Sequence, residues 1–218
     1  MPDEHICVEC GAAFTVPDSV REKYPGWVPT RCRRCHAKSK GRKSPAAGSG
    51  TPKGPFGVEE NLTVAEVLEK YTEGPTDGVF TDGSASPNPG PGGWGAVYVR
   101  DGEIVAEDWG HDPETTNNRM ELTALIAGYD LVPEGVPTTV HTDSRLAVDT
   151  ITKWAPTWAQ QGWRRKSGPV QNLDLVRALY ERAVARPEIT LKWIKAHAGS
   201  RWNEYADALS TAYLRDQR

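Results

Sequence analysis

The chain has 218 residues, of which 38% are apolar, so it can bury one good core and a small additional module. No apolar run approaches the roughly 20 residues that a membrane-spanning helix needs. Asp3, Glu4 and His5 stand where a signal peptide would be basic and then apolar. We therefore expect a cytoplasmic protein with no membrane span.

The net charge of −3 conceals two oppositely charged parts. Residues 1–57 hold ten Lys or Arg against five Asp or Glu, a balance of +5, and the remainder holds 16 against 24, a balance of −8. A basic head on an acidic body indicates a tether to a polyanion. A charged linker would show the same imbalance, so the charge alone does not decide.

All four cysteines lie in this head, as two C-x-x-C pairs: Cys7 with Cys10 and Cys32 with Cys35. Pairs about 20 residues apart have the spacing of a four-thiolate zinc site, which is structural because no coordination position stays open. Two disulfides are the alternative, which a reducing compartment disfavours. His36 could replace a thiolate, but we place it outside the ligand set. The sequence therefore predicts one structural Zn²⁺.

The predicted zinc module covers residues 1–37, which are too few for a core without the metal. Residues 38–57 contain no Asp or Glu and are rich in Gly, Pro, Ser and Lys, which is typical of a flexible basic linker. Residues 58–74 form a connector with a short amphipathic helix predicted between Val58 and Tyr71.

Residues 75–218 form the predicted main domain. Three strands joined by hairpins come first, followed by helices that alternate with two further strands, which predicts an α/β fold with a mixed sheet and helices on both faces. The predicted strands begin at Gly78, then span 92–100, 103–109, 138–142 and 189–194. The predicted helices run from Thr116 to before Pro133, from 146 to 154 with a stop before Pro156, from 172 to 185 and from 202 to 214.

Four acids stand at element ends or beside turns: Asp82 on the first strand, Glu121 in the first turns of the first helix, Asp143 at the end of the fourth strand, and Asp207 in the last helix. Each has an ordinary explanation alone, because Glu121 complements a helix N-terminus and Asp143 can help to cap the helix that follows it. Carboxylates that converge at one sheet edge would repel one another unless cations neutralise them. Oxygen ligands in partial number suit Mg²⁺, which keeps waters and binds phosphate oxygens.

Five motifs in register resemble type 1 ribonuclease H of the bacterial kind over residues 78–215. They are Thr81-Asp82-Gly83-Ser84, Asn88-Pro89-Gly90-Pro91-Gly92-Gly93, Thr116-Asn117-Asn118-Arg119-Met120-Glu121-Leu122, Thr142-Asp143-Ser144, and His197-Ala198-Gly199 with Asn203-Glu204 and Asp207. The resemblance implies an RNase H-like mixed five-stranded sheet flanked by helices. The head, with Cys7-x-x-Cys10-Gly11-x-x-Phe14 and Arg31-Cys32-x-x-Cys35, resembles a small bacterial zinc ribbon.

The resemblance also implies a reaction. Asp82, Glu121, Asp143 and Asp207 would hold two Mg²⁺, replaceable by Mn²⁺ and about 4 Å apart, around a phosphate of RNA in an RNA–DNA hybrid. The products would end in 5′-phosphate and 3′-hydroxyl. His197, on a loop before the last helix, would help proton movement or product departure.

Substrate contacts follow from the same resemblance. The choice of RNA needs groups that reach the 2′-hydroxyl, which suits Asn88, Asn118 and the backbone at Gly83 and Ser84. The start of the first long helix, where free N–H groups favour anions, would grip the DNA strand through Thr116, Asn117 and Arg119. Arg145 stands where the family often has Gln and is predicted to reach RNA.

Six residues resemble the handle that grips the hybrid in bacterial relatives: Trp154, Trp158, Trp163, Arg164, Arg165 and Lys166. The helically spaced Trp154 and Trp158 are equally compatible with the core. Ala159-Gln160-Gln161 stand where relatives tend to carry basic residues, so a weakened handle on an acidic domain should lose affinity. The basic head would restore it, although a protein partner for the zinc module stays open.

Two other functions remain to be tested: a catalytically idle hybrid-binding adaptor, and a DNA nuclease of the transposase or junction-resolving kind. Four mutually repelling carboxylates argue against mere binding, and the segment from Thr116 to Leu122 argues for hybrid cleavage. We expect a monomer.

Overall fold

The computed structural model describes residues 4–16, 30, 61–165 and 168–215. The chain divides into two compact units, Met1–Val58 and Glu59–Arg218. Among the described residues, none of the helices combines the length and apolarity that crossing a bilayer requires.

In the first unit, β1 (Glu4–Ile6) pairs antiparallel with β2 (Ala13–Thr15). The turn between them contains the first cysteine pair, with Cys7 buried and Cys10 exposed. Gly11, at a φ of 66°, donates its backbone N–H to the Cys7 carbonyl at 2.9 Å. Cys32, Cys35 and the predicted linker 38–57 lie outside the described residues, so the four-thiolate site stays a prediction.

The second unit is built on the predicted five-stranded mixed sheet, which the structure confirms. Its strands are β3 (Gly78–Ala85), β4 (Gly90–Arg100), β5 (Glu103–Thr115), β6 (Thr138–Thr142) and β9 (Ile189–Trp193) in the order β5-β4-β3-β6-β9. The pairs β3–β4 and β4–β5 are antiparallel, whereas β3–β6 and β6–β9 are parallel. A separate ribbon pairs β7 (Arg164–Arg165) with β8 (Gly168–Pro169). The third predicted strand is longer than expected, because β5 follows β4 back to Thr115.

The helices are α1 (Val64–Lys70), α2 (Asn117–Leu131), α3 (Arg145–Asp149), α4 (Ala155–Gln160), α5 (Leu173–Ala185), α6 (Arg201–Ser210) and α7 (Ala212–Arg215), with a π-helical turn, Thr150–Trp154, between α3 and α4. The predicted stop before Pro156 is wrong. Pro156 lies in the first turn of α4, where a backbone N–H is not required.

The predicted last helix, 202–214, is divided at Thr211. The hydroxyl of Thr211 donates to the carbonyl of Asp207 at 2.9 Å. Side chains that bond to the backbone in this way compete with helix continuation, which accounts for the break.

Both faces of the sheet are covered, as predicted. Along β3 the side chains alternate between faces, so Val79 joins one apolar cluster and Phe80 the other. The Val79 cluster includes residues of α2 and α5, and the Phe80 cluster includes residues of α1 and α6. Among the acids of interest, Asp82 lies within β3 just beyond its pairing with β6, and Asp143 directly follows β6.

Candidate active site

Two of the predicted acids come from adjacent parallel strands. Thr81 of β3 pairs with Thr142, the last residue of β6. Asp82 follows Thr81, and Asp143 follows Thr142. Asp82 is buried, with 9% of its surface exposed, and Asp143 is half-buried. The strand pairing therefore fixes the two carboxylates side by side.

Glycines let two helices bring further acids to the same edge. A Cβ on Gly83 would lie 2.2 Å from backbone atoms of Met120 and Glu121, so only glycine lets the first turn of α2 rest on β3. A Cβ on Gly95 would lie 2.4 Å from Cβ of Leu209, so the same holds for α6, which carries Asp207. Close approach on both sides converges the four acids.

Two serines hold two of these carboxylates. The Ser210 hydroxyl donates to Oδ2 of Asp82 at 2.6 Å, and the Ser144 hydroxyl donates to Oε2 of Glu121. Ser210 is fully buried. Sequence reasoning did not single out either serine as a positioning group, because their partners lie 128 and 23 residues away in the chain.

Burial and mutual repulsion perturb the carboxyl groups. Burial, followed by the charges of Asp82 and Glu121, raises the pKa of Asp143 to about 7. Burial also raises the pKa of Asp82, opposed by the hydrogen bond from Ser210 and by the charge of His197. The pKa of Glu121 is raised by burial, against the hydrogen bond from Ser144, and further by Asp82. The other residues of the chain therefore do not fully neutralise the negative charge of the ionised carboxylates.

This donor set fits a divalent cation. Its ligand atoms are carboxylate oxygens, which Mg²⁺ and Mn²⁺ prefer, and a cation would relieve the repulsion that raises the pKa of Asp143. Asp82, Glu121, Asp143 and Asp207 are the residues that would hold it.

A second group of ligand atoms adjoins Asp207. His197, Glu204 and Asp207 each bring one such atom within 4.8 Å of the others. Glu204 is buried, accepts the Gly199 backbone N–H at 3.2 Å and lies 3.8 Å from Nδ1 of His197. His197 has a left-handed φ of 45° and a side chain that is 56% exposed. The loop therefore presents His197 to solvent at the edge of the acid cluster, with Glu204 behind it.

A cleft extends from Glu121 toward the predicted handle. Asn118 and Glu121 line one end, and Trp154, Trp158 and Arg165 line the other. The cleft therefore joins the acid edge to the handle.

The two helically spaced tryptophans of the handle, Trp154 and Trp158, differ in burial. Trp154 is 41% exposed, whereas Trp158 packs against the core, so the core alternative describes Trp158 in part. Arg164 is exposed, and Arg165 donates Nε to the Gly168 carbonyl at 3.1 Å. Lys166 lies outside the described residues.

A polar groove adjoins the cleft at the start of α2. We call it the amide groove, and it is lined by Asn88, Thr116, Asn118, Gln171 and Asn172. Asn172 has a left-handed φ of 50° and precedes α5. Sequence reasoning missed Gln171 and Asn172, because an Asn before a helix ordinarily indicates a cap.

Two predicted contact residues have partners within the protein. Asn117 accepts the Ala85 backbone N–H at 2.5 Å, which ties α2 to β3. Arg119 donates two parallel hydrogen bonds to Asp174, at 3.2 and 2.9 Å, which ties α2 to α5. The roles of Asn117 and Arg119 toward a substrate stay predictions.

Arg145 is exposed beside the acids. Its guanidinium lies 5.3 Å from the ring centre of Trp193, and Nε1 of Trp193 donates to the Asp143 carbonyl at 3.0 Å. Trp193 therefore supports both Asp143 and Arg145, a role that its position at the end of a strand did not reveal. Ser84, the other predicted backbone contact, donates its hydroxyl to the Ser210 carbonyl at 3.4 Å.

Known proteins are similar to this chain in sequence and in fold. The RNase H family profile matches residues 76–215. A ribonuclease H of Granulibacter bethesdensis is 46% identical over 134 residues, covering 61% of this chain and 88% of the relative. A ribonuclease H of Aromatoleum aromaticum is 47% identical over 133 residues, covering 61% and 86%.

Among solved structures, LC9-RNase H1, a type 1 RNase H with the type 2 active-site motif, superposes with a TM-score of 0.55 and 34% identity, covering 67% of this chain and 76% of that one. The family match, residues 76–215, contains all four acids and the five-stranded sheet. The chain therefore belongs to the RNase H family of ribonucleases.

Proposed function

We propose that this ribonuclease hydrolyses the RNA strand of RNA–DNA hybrids with two divalent ions, leaving 5′-phosphate and 3′-hydroxyl ends. The observation that carries the proposal is the convergence of the buried Asp82 and the half-buried Glu121 and Asp143 at one sheet edge, where their mutual charge needs a cation. Asp207 on α6 completes the set.

The chain's own residues have distinct roles in this proposal. When bound, the ions would supply an activated water and neutralise the leaving oxygen. Ser210 and Ser144 fix the orientation of Asp82 and Glu121, so that the carboxylates need no rearrangement as the substrate arrives. His197 is exposed enough to take up or release a proton at its imidazole, and Glu204 restrains its loop.

The grooves support recognition of a hybrid. Asn118 lies in both the cleft and the amide groove, so one amide can bond to a 2′-hydroxyl near the acids. Thr116 and Asn172 lie farther along the amide groove beside the N-terminus of α2, where a phosphate of the DNA strand is favoured. Trp154 and Arg165 then extend the contact to the handle.

The basic head supplies affinity in this proposal. Residues 1–57 carry a net charge of +5, and the rest of the chain carries −8. Lys and Arg side chains that bind a polyanion release its counterions, which makes binding salt-dependent. Deleting residues 1–57 should raise the KM for hybrid and flatten its salt dependence. An unchanged KM and salt dependence would favour a protein-docking role for the zinc module.

The test of function compares four end-labelled polymers with the native chain in Mg²⁺: RNA–DNA hybrid, duplex DNA, branched DNA and double-stranded RNA. We expect cleavage of RNA in the hybrid alone, with 5′-phosphate products and no cleavage in EDTA. Tight binding without cleavage would identify an adaptor, and cleavage of branched DNA would identify a resolving nuclease.

A further inference from the structure

A segment outside the family match packs against the loop that carries His197. We call residues 61–74 the strap; they contain α1 and precede the matched residues 76–215. We propose that the strap is a positioning element, which holds the His197 loop (residues 194–200) and the start of α6 in place during RNA cleavage.

The strap is anchored on α6 by apolar contacts. Val67 of α1 is 1% exposed and belongs to the same cluster as Trp202 and Tyr205 of α6. Leu68 and Tyr71 pack against this cluster. Val67 is as fully buried as the core residues around it, so α1 is part of the folded domain.

The N-terminal end of the strap is also fixed. At its start, the hydroxyl of Thr63 accepts the Glu66 backbone N–H and the Glu66 side chain accepts that of Thr63, a capping box. The guanidinium of Arg215 donates to Oδ1 of Asn61 at 2.6 Å and to the Leu62 carbonyl at 2.9 Å. The strap is therefore held by Arg215 of α7 as well as by α6.

The other end of the strap contacts the loop directly. The Glu73 carbonyl accepts the Arg201 backbone N–H at 2.8 Å, and Glu73 forms a parallel bridge with Ser200. A Cβ on Gly74 would lie 2.6 Å from Oγ of Ser200, so the two backbones are in close contact. A Cβ on Gly199 would lie 3.9 Å from Cδ1 of Tyr71, which places that ring beside the loop.

These contacts lie immediately downstream of His197. His197 is not a glycine and has a left-handed φ of 45°, so its backbone conformation needs support from its surroundings. Glu204 holds the Gly199 amide from within α6, and the strap holds the two residues that follow it. Loss of the strap contact should displace His197 relative to Asp207, and small displacements at a reacting centre cost rate more than binding.

The test uses the full chain and three variants. Tyr71→Ala removes the ring at the loop, Tyr71→Phe keeps it, and Leu131→Ala removes an apolar side chain at the end of α2 that packs on the other cluster. We expect Tyr71→Ala to lower kcat about tenfold with KM for hybrid unchanged, and to speed hydrogen exchange at the Arg201 amide about tenfold. Tyr71→Phe and Leu131→Ala should keep native kcat.

A double variant separates positioning from general destabilisation. In a His197→Ala background, Tyr71→Ala should lower kcat no further, because the group that the strap positions is gone. Additive effects, equal effects of Tyr71→Ala and Leu131→Ala, or unchanged exchange at Arg201 would overturn the proposal. The kinetic part rests on the proposed hybrid cleavage, so a native chain that cuts no hybrid would refute that function, while the exchange rates would still decide the role of the strap.

Discussion

Replacing Asp143 by Asn should make the metal-free protein more stable. Asp143 has an ordinary pKa of 3.8, which rises to about 7 in the folded chain, first through burial and then through Asp82 and Glu121. A carboxyl with a pKa raised by folding contributes stability that is fully present below 3.8 and is lost as the pH rises through 7. Asn has nearly the same shape and no charge to lose.

The expected magnitude follows from this shift. Three pKa units correspond to about 4 kcal/mol, and the half-buried side chain keeps some solvent contact, so we expect the Asp143→Asn variant to gain about 2 kcal/mol above pH 7. The gain should shrink toward pH 4, where the native carboxyl is protonated in the folded chain and about half protonated in the unfolded chain. Mg²⁺ should reverse the order, because it binds and stabilises the native chain more strongly.

The assay is urea unfolding in EDTA between pH 4 and pH 8.5, followed by tryptophan fluorescence, since seven of the eight tryptophans lie between residues 94 and 202. Glu134→Gln is the matched control, because Glu134 is exposed in the turn at the opposite end of β6. An Asp143→Asn variant that is no more stable than native at pH 8 in EDTA would refute the electrostatic reasoning, as would an equal gain for the control.

Two further substitutions test how the site is built. Ser210→Ala removes the hydroxyl that donates to Asp82, a loss of about 1 kcal/mol; the Mg²⁺ concentration for half-maximal cleavage should rise about fivefold with KM for hybrid unchanged, and an unchanged Mg²⁺ dependence would contradict the positioning role. Asn172→Ala removes an amide from the groove at α2; KM should rise about tenfold with kcat retained, whereas a loss confined to kcat would place Asn172 outside substrate binding.

The acids were predictable because each stands at a recognisable boundary in the sequence. Asp82 follows an apolar start of a strand, and Asp143 follows a second strand that the pattern also predicts. The parallel pairing of β3 with β6 sets Thr81 opposite Thr142, so the residues that follow them, Asp82 and Asp143, lie side by side. Motif order then identified Glu121 and Asp207, and the family match covers all four.

Contacts between distant side chains were not predictable from local patterns. Ser210 lies 128 residues from its partner Asp82, and Arg119 lies 55 residues from Asp174, so their roles depend on how α6 and α5 pack. Pro156 misled the helix prediction for a related reason, because a π-helical turn before it places the proline where a helix tolerates it.

The central claim is that the buried carboxylates catalyse cleavage of RNA in a hybrid. The most direct measurement is single-turnover cleavage of an end-labelled RNA strand in Mg²⁺ by the native chain, by Asp82→Asn, and by Asp108→Asn, an exposed aspartate on the edge strand β5. We predict cleavage by the native chain and by Asp108→Asn, with a loss of at least about 10³-fold for Asp82→Asn. Native-like cleavage by Asp82→Asn, or hybrid binding without cleavage by the native chain, would contradict the proposed mechanism.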